Sequence, residues 1–331
     1  MRWMTLLVVM ALIGALAPSA LPKKCGGEDF EVVPPSTDHL CAEWAANRED
    51  LEDPINIHCN IEKGTFAEPN ATAGDQIKVV TWNIERGHYV DDLIDLFVND
   101  QRINDTDIYL LSEVDRYCDR TGDRNIAFEI ADALGYDYAY GVEFVEINSG
   151  RGEHGQAIIS RFPITQVDQQ RLTDFEDWQG RLGGRMALYG TVKIGDTDLN
   201  LLSIHTMSEP FPYIEGRKTQ FQEILDFADE RPGPTLIGGD FNVVLEYLIG
   251  SDPTVNLIRD NGYDDNLRDE SHDLTWTAMT EFGDEGEIRT RLDYIFFRDI
   301  PLIDGAVYYD DEFVGLSDHW GQYGRFDVSG F

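Results

Sequence analysis

The stretch Pro234-Thr235-Leu236-Ile237-Gly238-Gly239-Asp240-Phe241-Asn242 constrains the fold more than any other part of the chain. A short apolar run closed by two glycines reads as a buried strand whose backbone turns sharply and runs close to a neighbour. Strand alternation around Phe241 would then send the Asp240 carboxylate and the Asn242 carboxamide out on one face, at the strand's mouth. Taken alone, Asp-x-Asn after a strand is equally an ordinary polar turn. The rest of the chain separates the two readings.

With 331 residues and 42% hydrophobic content, the chain can fill a substantial core without metal staples. Residues 1–20 have a basic start at Arg2, an apolar middle and the small-residue end Ala17-Pro18-Ser19-Ala20. This is the pattern of a secretory signal, shorter than the roughly 20 apolar residues that span a bilayer. A secreted protein without a transmembrane segment in its mature form is therefore expected. Cys25, Cys41, Cys59 and Cys118 follow the signal. An even count in an exported chain suggests disulfides, with one bridge reaching from the leader to Cys118, while the lack of Cys-x-x-Cys spacing disfavours zinc. The formal charge of −36 repels polyanions at long range and draws divalent cations in, which excludes tight metal-free binding to nucleic acid.

Residues 21–75 are rich in Pro, Gly, Asp and Glu with little periodicity, apart from a short helical pattern over Cys41 to Asp50. They read as a disulfide-tied leader. From residue 76 to 331 the texture is that of one α/β domain. Strands are expected at Ile77 to Asn83, Ile108 to Leu111, Tyr136 to Val145, Gln156 to Ser160, Ile164 to Gln170, Met186 to Ile194, Leu199 to His205, Leu292 to Arg298, Ala306 to Tyr309 and Gly321 to Val328. Helices are expected at Asp91 to Phe97, at Asn125 to Leu134 stopped by Gly135, and at Ile214 to Glu230. Gly195-Asp196 reads as a hairpin turn. No internal repeat appears.

Asn83, Glu113, His205, Asp240 with Asn242, and Asp318-His319 each follow or adjoin an apolar strand. A polar residue at one strand mouth is usually a cap. Acids, amides and imidazoles at five of them converge on one rim if the strands share a sheet edge. His205 alone would more often be a satisfied core histidine, and Asp293 alone a solvated turn acid. Hard oxygen donors of this kind suit magnesium or manganese, with Glu113 the leading ligand.

The order Trp82-Asn83-Ile84-Glu85, Ser112-Glu113-Val114, Gly155 to Arg161, Ile204-His205-Thr206, Gly238 to Asn242, Arg291 to Ile295 and Ser317-Asp318-His319 resembles the endonuclease/exonuclease/phosphatase superfamily, with its DNase-I-like fold. Seven motifs in order over about three quarters of the chain are far more specific than any one of them. The resemblance implies a four-layer α/β/β/α sandwich, two packed mostly antiparallel or mixed sheets flanked by helices, that cleaves phosphate esters with a divalent metal. It implies metal or phosphate contacts for Asn83 and Asp318 beside Glu113. It makes His319 the base that activates water, with Asp293 fixing its tautomer, and gives Asp240 and Asn242 to orienting water and holding phosphoryl oxygens. His205 would protonate the leaving oxygen or stabilise the pentacovalent state. It also implies a carboxylate supporting His205, sought at Glu153 or, if not a carboxylate, at His154. Arg161, Arg185, Arg217 and His154 are candidates to grip substrate phosphate, each also readable as a structural residue.

The expected protein is thus a secreted phosphodiesterase, monomeric and without a stable protein partner, acting on DNA, RNA or a phospholipid headgroup. A phosphomonoesterase of the inositol-phosphate type, or a silent binding module on the same fold, are the alternatives. Phe211-Pro212-Tyr213 is a modest candidate for a membrane-facing loop.

Overall fold

The structure is a computed structural model that describes residues 30–33, 60–147, 151–173, 181–208, 214–281, 287–309, 313 and 315–331. The signal pattern, Cys25, Cys41, Cys59, the helical pattern over Cys41 to Asp50, and Phe211-Pro212-Tyr213 lie outside these residues. Along the chain run β1 (Phe30–Val33), β2 (Ile61–Gly64), β3 (Gln76–Arg86), helix α1 (Val90–Asn99), β4 (Ile108–Cys118), β5 (Arg124–Asn125) and α2 (Ile126–Leu134). Then come β6 (Asp137–Glu146), β7 (Glu153–Ser160), β8 (Ile164–Arg171), β9 (Arg181–Gly183), β10 (Met186–Ile194), β11 (Thr197–His205), α3 (Ile214–Asp229) and β12 (Thr235–Asp240). The rest is α4 (Val244–Ile249), α5 (Pro253–Asp260), β13 (Asp264–Asp265), the hairpin β14 (Ala278–Glu281) and β15 (Glu287–Thr290), β16 (Asp293–Arg298), β17 (Leu302–Val307) and β18 (Gln322–Asp327).

Among the described residues these strands form two large mixed sheets. One has the order β1-β2-β6-β7-β4-β3-β18-β17, with β5 beside β4 and β9 beside β6, and the other the order β13-β16-β12-β11-β10-β8. Period-two alternation explains the layering. In β3 and β4, Ile77, Val79, Ile108 and Leu110 face Leu188, Leu201, Leu236 and Ile295 of the second sheet. The intervening Val80, Trp82, Tyr109 and Leu111 face Leu93 and Phe97 of α1 and Ile126 and Ile130 of α2. On the far side, Leu202, Ile204, Ile237 and Phe296 pack on Phe221, Ile224 and Leu225 of α3 and on Val255 and Ile258 of α5. Strands covered on both faces read as continuous apolar runs, and the result is a four-layer α/β/β/α sandwich.

The focal strand β12 lies between β11, to which it is parallel, and β16. Its glycines are steric requirements. A Cβ on Gly238 would lie 2.6 Å from Leu110 Cδ1, and one on Gly239, whose φ is +147°, would lie 1.9 Å from the Ile204 carbonyl oxygen. No L side chain fits the second position.

Two expectations about the leader change. Strands β1 and β2 belong to it, yet β2 pairs with β6, so part of the leader is the edge of the first sheet. Cys118 is a free, buried thiol that donates to the Glu153 carbonyl at 3.3 Å, rather than half of a bridge to the leader. A buried ion triad ties the leader down instead. Glu62 on β2 accepts from Arg116 Nη1 at 2.8 Å and from Asn125 Nδ2 at 2.6 Å, while Arg116 Nε donates to Glu153 Oε2 at 2.5 Å. All three charged side chains are inaccessible to solvent. No helix among the described residues is long and apolar enough to cross a membrane.

Candidate active site

The C-terminal ends of β3, β4, β11 and β12, with the start of β16 and the segment before β18, bring the candidate residues to one rim. Backbone irregularity aims two of them. The β3–β4 register shifts between Asn83 and Arg86, and the β4–β7 register shifts between Leu111 and Val114. Glu113 sits inside the second shift at a φ of 53°. Bulges of this kind redirect side chains at a sheet edge, and left-handed backbone on a non-glycine residue is strain that the surroundings must hold.

Asn83 Nδ2 donates to Glu113 Oε1 at 3.3 Å and to Asp240 Oδ2 at 3.1 Å, so one amide joins the two sheets' carboxylates. Its own Oδ1 accepts from the Glu85 backbone at 3.1 Å. His205 Nε2 and His319 Nε2 approach the same oxygen, Asp240 Oδ2, at 3.7 and 3.8 Å. Behind His319, Nδ1 lies 2.7 Å from Asp293 Oδ2, and the Asp293 backbone N–H donates to Thr277 Oγ1 at 3.0 Å. Ser317 Oγ donates to the Asn83 carbonyl at 2.6 Å and accepts from His319 N at 3.1 Å, which anchors the histidine loop to β3. Asp318 is exposed and lies 3.4 Å from Ser317 Oγ.

Asn242 behaves differently from strand alternation. The strand ends at Asp240, Phe241 turns into the outer core, and Asn242 takes a φ of 51°. Its backbone N–H donates to Asp240 Oδ1 at 2.9 Å, and its amide donates to the Thr206 carbonyl at 2.9 Å. Asn242 thereby fixes the Asp240 carboxylate and the end of β11; an Asx-type turn wins because Asn tolerates the left-handed region.

The carboxylate beside His205 is neither Glu153, which pairs with Arg116, nor a group at position 154. It is Glu143 of β6. Glu143 Oε2 is 3.4 Å from His205 Nδ1, and Arg185 Nη1 bridges Glu143 Oε1 at 2.7 Å and His205 Nδ1 at 2.8 Å. The sequence carried one signal for it: an acid inside the apolar run Tyr138 to Val145, where a buried charge requires a partner. His154 stands on the other side, next to Glu113. Its Nδ1 is 2.8 Å from Asp115 Oδ1, and its ring stacks on Phe144 with centroids 4.6 Å apart. Arg120 grips both oxygens of Asp115, Nε to Oδ2 at 2.6 Å and Nη2 to Oδ1 at 2.8 Å. Neither Asp115 nor Arg120 stood out in the sequence.

One of the arginines lies away from this rim. Arg161 follows the end of β7 that pairs with Ile108, at the opposite end of β4 from Glu113, and bonds Asp107 Oδ1 at 2.7 Å. Five strand residues separate the two ends, roughly 17 Å. Arg217 is buried in α3 with its guanidinium 3.7 Å from Asp252, the N-cap of α5, which makes it a tie between helices.

Electrostatics separate the groups by role. Burial would raise Glu113, but His154, His205, Arg86 and His319 outweigh it and hold its pKa at about 2. Glu143 is likewise held at about 2, against burial, chiefly by His205 and Arg185. For His205, burial and Arg185 disfavour the imidazolium, yet Glu143 and Asp240 raise its pKa overall. Burial also opposes charge on His319, but Asp293 and Asp240 raise its pKa well above the ordinary range. A permanently ionised, half-buried Glu113 suits a hard divalent cation.

A four-layer sandwich whose two sheets hold two imidazole–carboxylate pairs and an ionised glutamate at one rim defines a fold with an acid–base site fit for a divalent cation. Residues 80–319 match the sequence profile of the Endonuclease/Exonuclease/phosphatase family, and the chain belongs to that family. The family is generally hydrolytic, acts on phosphoesters or nucleic acids, and generally uses a divalent metal. No curated protein matches the sequence. Solved structures share the fold. An endonuclease/exonuclease/phosphatase family protein from Leptotrichia buccalis is 21% identical with a TM-score of 0.59, over 76% of this chain and 100% of that one. The endonuclease/exonuclease/phosphatase from Beutenbergia cavernae is 19% identical with a TM-score of 0.58, over 77% of this chain and 72% of that one. A humanized D. rerio TDP2 is 17% identical with a TM-score of 0.56, over 77% and 100%.

Proposed function

We propose that this chain is a secreted phosphodiesterase, dependent on magnesium or manganese, that cleaves its substrate by direct attack of water. The observation that carries the reading is the shared approach of His205 Nε2 and His319 Nε2, 3.7 and 3.8 Å from Asp240 Oδ2. Two imidazole nitrogens flanking one carboxylate oxygen frame a space in which a phosphorus atom meets an incoming and a departing oxygen.

His319 is the base. Its Nδ1–H is held by Asp293, so Nε2 carries the lone pair that takes the proton of the attacking water. Asp240 receives the Asn83 amide and the Asn242 backbone N–H, which leaves its carboxylate aligned to orient that water. His205 is the donor. Against burial and Arg185, Glu143 and Asp240 favour its imidazolium, with Nδ1–H toward Glu143 Oε2 at 3.4 Å, and the Nε2 hydrogen of that cation points to the leaving oxygen. The bond from water oxygen to phosphorus forms as the ester P–O bond breaks, the first proton goes to His319 and the second leaves His205. When bound, the cation at Glu113 supplies charge neutralisation for the phosphoryl oxygens and the leaving oxygen. Arg86, which acts electrostatically on Glu113, adds positive charge at the same end of β3.

The net charge of −36 favours small or neutral-surface phosphodiesters and makes polyanion binding dependent on the cation. The export reading is supported by the pattern of residues 1–20. Purified protein with Mg2+ or Mn2+ should hydrolyse plasmid DNA or sphingomyelin in preference to inositol phosphates, whose cleavage would instead favour a phosphomonoesterase, and His319→Ala should lose nearly all turnover while keeping its fold. A His319→Ala protein as active as the wild type would end the mechanism.

A further inference from the structure

We infer that His154 is a nitrogen ligand of the cation held by Glu113, so that this site prefers a transition-metal ion such as Mn2+ over Mg2+. The inference deepens the reading above, since it rests on Glu113 as the carboxylate ligand. Glu113, His154 and His205 each offer a ligand atom within 4.8 Å of the others. His205 is the proton donor, with hydrogen on Nε2, and so brings no lone pair. His154 does. Its Nδ1–H is given to Asp115 Oδ1 at 2.8 Å. That bond fixes the tautomer with the lone pair on Nε2.

The surroundings are those of a ligand with a built outer shell. Metal-bound histidines characteristically donate their other ring hydrogen to a carboxylate that is itself hydrogen-bonded. Here Asp115 is inaccessible to solvent, Arg120 grips both of its oxygens, and Phe144 stacks on the face of the imidazole ring. A histidine that served only to pack would not require a buried ion pair behind it. One that gripped phosphate would need a proton on Nε2. An imidazole nitrogen beside a carboxylate moves the donor set from the all-oxygen type that suits magnesium toward a mixed type that first-row transition-metal ions accept more readily.

Pulsed electron paramagnetic resonance on the full chain loaded with Mn2+ tests this directly. Wild type and His205→Gln should both show hyperfine coupling from a directly bound imidazole nitrogen, and His154→Gln should lose it. Calorimetry should give at least about a tenfold loss of Mn2+ affinity in His154→Gln with a change of under about threefold for Mg2+. Asp115→Asn should weaken Mn2+ by about 10- to 100-fold. Nitrogen coupling absent from the wild type, or abolished by His205→Gln and not by His154→Gln, overturns the inference and leaves the role of Glu113 standing. Unchanged Mn2+ binding in Glu113→Gln overturns both. If His154→Gln fails to fold, the wild type and His205→Gln spectra still decide.

Discussion

Asp293→Asn isolates what the buried carboxylate does for His319. The side chains differ by one atom type, and Asp293 is fully buried with its Oδ2 2.7 Å from His319 Nδ1. A hydrogen bond to a charged partner contributes about 1.5 to 3 kcal/mol, so losing the alignment alone lowers kcat by about 10- to 150-fold. The asparagine can also present its N–H to Nδ1, which moves the ring hydrogen to Nε2 and removes the base; the ceiling is then the about 10⁴-fold that a positioned base contributes. We expect a fall in kcat of about 10² to 10³, with KM changed by less than about threefold. The pH profile gives a second, independent reading. Asp293 and Asp240 raise the pKa of His319, and the base must be unprotonated to work. The acid limb of kcat/KM therefore lies above the ordinary histidine range in the wild type and moves to lower pH in Asp293→Asn. Steady-state kinetics between pH 5 and 9 at saturating metal, with a thermal melt to confirm folding, measures both. A limb that stays in place with kcat preserved, or one that moves to higher pH, refutes the assignment of base and carboxylate.

Three further outcomes follow from the packing. Glu62→Gln leaves Arg116 with one carboxylate in a solvent-free site, and the loss of one partner of a buried ion pair should destabilise the protein by about 3 to 5 kcal/mol in urea unfolding; a change under about 1 kcal/mol would mean the leader strand is not anchored there. Arg161→Ala should lower the melting temperature and leave KM and kcat within about twofold, because its guanidinium serves Asp107 at the far end of the strands; a rise in KM would return it to the substrate site. Gly239→Ala should fail to give folded protein, or lose more than about 4 kcal/mol, since the new Cβ would meet the Ile204 carbonyl oxygen at 1.9 Å.

Much of the fold was legible because its signals are local. The apolar runs at Ile77 to Asn83 and Met186 to Ile194, the helical stripe of α3 and the left-handed Gly135 after α2 each need only a few consecutive residues to be recognised. The short α4 and α5 and the β14–β15 hairpin were not recognised, because segments of four to eight residues carry too little periodicity. In the site, the residues at strand mouths were legible for the same local reason, whereas those that support them were not. Glu143 sits 62 residues before His205, and Asp115 sits 39 before His154; nothing in the spacing links them.

The chain's own order of residues therefore determined which groups stand at strand ends, that Gly238 and Gly239 permit close backbone approach, and that acids outnumber bases around a phosphoester-type motif set. Tertiary structure decided the rest. It set which strands lie side by side, so that Glu143 and not Glu153 backs His205, and it turned Asn83 and Glu113 toward the rim through paired register shifts. It sent Arg161 to the far end of the sandwich and recruited leader strands to the sheet edge. Strand pairing joins residues distant in sequence, and a single-residue slip reverses the face of every side chain, so register is a property of the assembled sheets and not of any segment within them.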